Sequence, residues 1–62
     1  GTGNLGTRQA ALCWIDLSRS YRDAGEVDDA RRSAATAVDV ALASADPWVQ
    51  RQAETQLESV FG

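Results

Sequence analysis

The stretch ALCWIDLSRSYRDAGEVDDARRSAATAVDVALAS, residues 11–44, decides the fold, because its apolar residues recur at three- and four-residue steps and the pattern breaks only once. Ala10, Trp14, Leu17, Ser18 and Tyr21 fall on one stripe of a 3.6-residue period. Gly25 follows as a residue that readily takes the left-handed conformation ending a helix. With Thr7 as N-cap, the spacing predicts a first helix from about Arg8 to Ala24. Asp28 and Asp29 then place two carboxylates at the positive end of a second helix dipole. Ala30, Ala34, Ala37, Val38, Ala41 and Leu42 carry the apolar stripe to about Ala43. That stripe is mostly alanine: it lets a neighbouring helix come close, yet each residue buries little area, so large partners are required opposite.

Outward from this stretch, Ser44-Ala45-Asp46-Pro47 is the sharpest punctuation in the chain. Asp46 is a good N-cap, and proline at the first helical position loses no hydrogen bond. Val49, Ala53, Leu57, Val60 and Phe61 mark the buried face of a third helix from Pro47 to Phe61, with Trp48 beside its first turn. On the other side, Gly1 to Gly6 has no periodicity and three glycines, and is expected to be a flexible tail, residues 1–6, before a single domain over residues 7–62. The tail matches GxGxxG literally. A dinucleotide-binding loop needs that motif between a strand and a helix, and nothing here supplies the strand. No segment alternates with a two-residue period, so no strands are expected.

Composition narrows the function. At 62 residues the chain forms one domain at most, and so small a core needs a disulfide, a metal or a partner to complete it. Cys13 is the only cysteine and there is no histidine, so neither an internal bridge nor a zinc-type site can be assembled; no cofactor and no metal are expected. Six arginines against nine acidic residues give a net charge of −3, unfavourable for binding a phosphate backbone directly. No apolar run is long enough to span a bilayer. A cytoplasmic protein with neither nucleic-acid nor membrane partners is the expectation. The absence of lysine beside abundant alanine and arginine fits a GC-rich coding genome.

Residues 11–44 resemble a tetratricopeptide repeat, a helical hairpin of about 34 residues with a signature of fixed offsets. Ala11, Trp14, Leu17, Ser18, Tyr21, Gly25, Ala30 and Ala37 stand at matching positions. The resemblance implies an all-α fold, a tetratricopeptide-like antiparallel hairpin plus a third, capping helix, with Trp14, Leu17 and Tyr21 filling the space between the first two helices. Ala34 stands where the family has a bulky aromatic, which tightens the hairpin or leaves room for a residue from the third helix or from a partner. Leu42 replaces the closing proline, so the second helix runs about a turn longer. Arg51, Gln52 and Thr55 do not continue the signature after Trp48. The resemblance further implies a non-enzymatic protein-interaction or self-association module, a homodimer or part of a longer repeat array within a larger bacterial regulatory or scaffold protein.

Six residues are candidates for partner binding: Leu12, Ile15, Arg19, Arg22, Trp48 and Phe61. In the family the concave face belongs largely to the first helix of each repeat, where Leu12, Ile15, Arg19, Arg22 and Asp23 match. Family members that clamp a peptide C-terminus carry lysine and asparagine at positions where this chain has Ile15 and Arg19. Arg19 and Arg22 are spaced to grip a carboxylate; equally, Asp16, Asp23 and Glu26 are near enough to hold them in surface ion pairs. Leu12 and Ile15 point away from the Trp14 stripe, and either the third helix, through Leu57, Val60 and Phe61, or a second chain should cover them. Of Trp48, Val49, Leu57, Val60 and Phe61 on the third helix, three helices alone can cover only some, and Trp48 and Phe61 are the partner-binding candidates there. Cys13, flanked by Leu12 and Trp14, reads as a buried, inert thiol. Asp28 with Asp29 is helix-start chemistry and Glu54 with Glu58 a solvated face; with no histidine and no nucleophile–base pair, no catalytic constellation exists. The alternative function is a sensor binding a small ligand or signal peptide beside Ala34 and the two arginines.

Overall fold

The computed structural model describes the backbone of residues 2–61 and the side chains of residues 6–61. It consists of three helices, α1 (Thr2–Asp23), α2 (Val27–Ser44) and α3 (Pro47–Phe61), with no strand among the described residues. The fold is all-α. Ser18 meets Ala30, and Ala11 clusters with Ala37 and Ala41, so α1 and α2 form an antiparallel hairpin. Helix α3 returns parallel to α1 and rests on both helices: its start lies beside Arg8 and its end beside Arg31.

The turns explain the boundaries. After α1, Gly25 takes φ +80°, its N–H donates to the Arg22 carbonyl at 3.0 Å, and the Glu26 N–H donates to the Tyr21 carbonyl at 2.8 Å. These two bonds are the 5→2 and 6→1 pair of a Schellman cap. After α2 the left-handed residue is Ala45, at φ 56°. Its N–H reaches the Leu42 carbonyl at 3.4 Å, and the second bond is relayed through a side chain. The Asp46 N–H donates to Ser44 Oγ at 3.3 Å, and Ser44 Oγ donates to the Ala41 carbonyl at 2.6 Å. Ser44 thereby satisfies a carbonyl and an amide that the direct bond would have joined. One residue on, Asp46 caps α3, its Oδ1 accepting from the N–H groups of Trp48 and Val49 at 3.0 and 3.3 Å.

The amino terminus differs from its expected form. Residues from Thr2 to Gly6 continue α1, and Thr7, expected as the N-cap, lies inside the helix; Gly1 lies outside the described residues. Adding turns to a helix already held by tertiary packing incurs no nucleation cost, so a glycine-containing segment can prolong it. The GxGxxG match therefore has no phosphate-cradling loop in its described part.

Six of the nine buried hydrophobic residues are alanine, joined by Ile15, Val49 and Val60. They form two clusters. Ala11, Ile15, Ala37, Ala41, Val49 and Ala53 pack at the α1 N-terminal half, with Leu12, Trp14, Val38 and Val40 against them; Ala30, Ala34 and Val60 pack at the other end with Tyr21 and Leu57. Val60 thus occupies the space that Ala34 leaves open. The core-facing line of α1 is Ala11–Ile15–Ser18, displaced from the expected Trp14–Leu17–Tyr21 stripe. Because α3 covers the flank of α1 away from α2, the most buried line falls between the two neighbours; Trp14 and Tyr21 are half-buried, and Leu17 is 38% exposed.

Candidate interaction surface

Between the two clusters, a polar chain crosses all three helices. Ser18 is fully buried where α1 crosses α2, and its hydroxyl donates to the Ala30 carbonyl at 2.9 Å. The same oxygen accepts from Gln56 Nε2 at 3.2 Å, and Gln56 Oε1 accepts from Arg19 Nε at 3.3 Å. No buried side-chain polar atom lacks a partner among the described residues, as the low polarity of an interior demands.

This chain belongs to a seam along α1 and α3. Arg22 Nη1 donates to Ser59 Oγ at 2.7 Å. At the opposite end, Arg8 Nε lies 3.2 Å from Asp46 Oδ2 and its guanidinium 5.8 Å from the Trp48 ring centroid. Arg8, Leu12, Ile15, Arg19 and Arg22 follow one another at three- and four-residue steps, so one stripe of α1 faces α3. The expected surface ion pairing is realised only in part: Arg19 lies 3.9 Å from Asp16, too long and too exposed to stabilise much. Each guanidinium carries five donors, more than these contacts use, and the Arg19 side chain is 60% exposed.

A second surface lies where α2 meets α3. Arg31 Nε donates to the Val60 carbonyl at 3.0 Å, and its guanidinium sits 4.9 Å from the centroid of Phe61. A cation at the carboxyl end of α3 is favoured by the helix dipole. Beside it Phe61 is 59% and Val27 44% exposed, and about three turns further along the same side of α2 Leu42 is 59% exposed.

The six residues expected at a partner surface are thus divided. Leu12, Arg19, Arg22 and Trp48, the last 54% exposed, share the α1–α3 seam. Phe61 lies on the other flank of α3, against α2. Ile15 is only 3% exposed, covered by Val49 and Ala53 of α3, and is unavailable to a partner. Helix α3 does cover the second stripe of α1, but with Val49 and Ala53 in place of Leu57, Val60 and Phe61. Cys13, expected to be buried, is exposed: it shares the outer face of α1 with Gln9, Asp16 and Ser20, opposite both neighbours. Sequence reasoning missed Gln56, Ser59, Arg31 and Arg8. A glutamine three residues after Ala53 and four before Val60, on an otherwise apolar line, was the available signal for Gln56; the others depend on which helices meet.

Val60 packs beside Ala34, where a ligand pocket was the alternative, and the described residues hold no metal-binding cluster. Ala34 is fully buried, the shallow depression at the first turn is lined by Gly25, Glu26, Val27, Asp28 and Asp29, and no three acidic or cysteine side chains are grouped to hold an ion. No described helix is long and apolar enough to cross a membrane. Comparison with known proteins gives no matching family model, no matching curated protein and no matching solved structure.

Proposed function

We propose that this chain is a non-enzymatic, cytoplasmic protein-interaction module of the tetratricopeptide type, whose core is completed on a protein partner. The observation that carries this reading is an inversion of side-chain size: six of nine buried hydrophobics are alanine, while Trp48, Phe61, Leu42, Val27 and Leu17 are exposed. A buried leucine contributes about 2–5 kcal/mol more than alanine at the same site, so a domain that places its large apolar groups outside gives up stability that a partner can restore. Exposed apolar groups gathered on one side mark interaction sites, and of these five Val27, Leu42 and Phe61 share the α2–α3 side while Trp48 lies on the other flank of α3 and Leu17 on α1. The architecture supports the repeat reading: α3 runs parallel to α1 and lies on both helices of the hairpin, as the first helix of a following repeat does in a stacked solenoid. The sensor alternative has less support, since Val60 fills the space beside Ala34 and Arg19 and Arg22 bond to α3.

The test separates residues that hold the fold from residues kept for a partner. Leu42→Ser, Trp48→Ser and Phe61→Ser should each stay within about 1 kcal/mol of the parent in urea melts of the monomer, the loss being a surface cation–π contact or less. A loss of about 3 kcal/mol or more, the size expected of core truncations, at two of these positions would make them structural and remove the proposed surface.

A further inference from the structure

We infer that the occupant of the exposed α2 face is a second copy of this chain, docked antiparallel across a two-fold axis; this rests on the interaction-module reading above. The face follows from the helix period. Asp28, Ala35 and Leu42 are seven residues apart and lie along one line, with Arg31 and Val38 on the side toward α3 and Arg32 and Asp39 on the side away from it. All of α2's buried residues, Ala30, Ser33, Ala34, Ala37, Ala41 and Ser44, lie on the opposite side. Ala35 at the middle of the line is exposed and small, so two helix backbones can approach there closely.

Charge complementarity selects the partner and its direction. A two-fold axis perpendicular to α2, passing near its middle, sets residues before the axis opposite residues after it. Arg32 then faces Asp39 of the second copy, and the pairing occurs twice by symmetry. In a parallel two-fold arrangement each flank would face the opposite flank of the second copy, so Arg32 would meet Arg31, a repulsive contact, and Asp39 would meet Val38, which offers it no opposite charge. Both groups are available: Asp39 has no ion-pair partner among the described residues, and the Arg32 side chain is 81% exposed, with only a 3.7 Å contact to Asp29, which costs little to exchange. The same operation sets Leu42 of each copy opposite Asp28 of the other, less than a turn along α2 from Arg31, whose guanidinium lies over Phe61. The two most exposed apolar groups of the face, Leu42 and Phe61, are then covered together, with the aliphatic stem of Arg31 between them.

Sedimentation equilibrium on the full chain, with far-UV circular dichroism to verify folding, tests this arrangement. The parent should dimerise. Arg32→Asp and Asp39→Arg, each placing two like-charge pairs across the axis, should each weaken the dimer by about tenfold. The double variant, which restores opposite charges in reversed order, should recover most of the affinity, and Leu42→Glu should abolish association while remaining helical. A parent that stays monomeric into the high micromolar range overturns the inference. So does a dimer whose affinity is indifferent to both single charge reversals. Urea melts of the serine variants are read on the monomer, so either result leaves the interaction-module reading to stand or fall separately.

Discussion

Gln56 and Ser18 are bonded across the α1–α3 interface, the Gln56 amide donating to the Ser18 hydroxyl at 3.2 Å while that hydroxyl donates to the Ala30 carbonyl. One buried oxygen therefore ties three helices together. Ser18→Ala would leave the Ala30 carbonyl without its side-chain donor and the Gln56 amide without its acceptor, and should cost about 1–3 kcal/mol. Adding Gln56→Leu should cost less than the sum of the two single changes, because the second removes a group already stranded by the first. Urea denaturation of the four-protein cycle measures this; additive costs would mean that the two side chains do not act as a unit.

The two left-handed turn residues should respond in opposite directions. Gly25, at φ +80°, has open space where a methyl group would stand, with nothing within 4 Å, so Gly25→Ala meets only the backbone penalty, about 1 kcal/mol. Ala45 already bears that penalty at φ 56°, and Ala45→Gly should stabilise the chain by about 0.5–1 kcal/mol, the relief being partly offset by the freer unfolded chain. Thermal melts at one protein concentration show the sign. Destabilisation by Ala45→Gly would place the left-handed residue elsewhere.

Ile15→Ala should be more damaging than Leu17→Ala. Ile15 lies among Ala11, Ala41, Val49 and Ala53 with 3% of its surface exposed, and truncation there should cost about 2–5 kcal/mol, enough to unfold a domain of this size. Leu17, 38% exposed, should lose about 1 kcal/mol or less. The reverse order would return the buried line of α1 to the Trp14–Leu17–Tyr21 stripe.

Cys13 should react in the folded protein. It is exposed on the outer face of α1, so a thiol-specific chromogenic reagent should modify it at a rate within about tenfold of that in urea, since access governs the reactivity of an ordinary thiol. Protection by several orders of magnitude would mean that a partner or a second copy covers this face.

Much of the architecture was legible in the sequence. Gly25, Asp46 and Pro47 marked the ends of α1 and α2 and the start of α3 because capping and turn chemistry are local: an amide needs an acceptor within a turn, whatever the rest of the chain does. The alanine line of α2 was also readable, since α2 has a single narrow apolar stripe and only one way to bury it. Helix α1 is different. Its large apolar residues, from Leu17 through Trp14 and Ile15 to Leu12, sweep about 220° of its circumference, wider than one neighbour can cover. Which part became core depended on where α3 settled.

Three helices, their order, the alanine-faced hairpin and the capping of α3 by Asp46 follow from local residue chemistry and spacing. That Ile15 is core and Cys13 surface, that Arg19 and Arg22 reach Gln56 and Ser59, that Arg31 closes the end of α3, and that Trp48 and Phe61 lie on opposite flanks depends on how the helices pack. The reason is physical: periodicity fixes which residues share a side of a helix, but the burial of each side is set by the bodies packed against it, and those bodies meet through residues far apart in the chain.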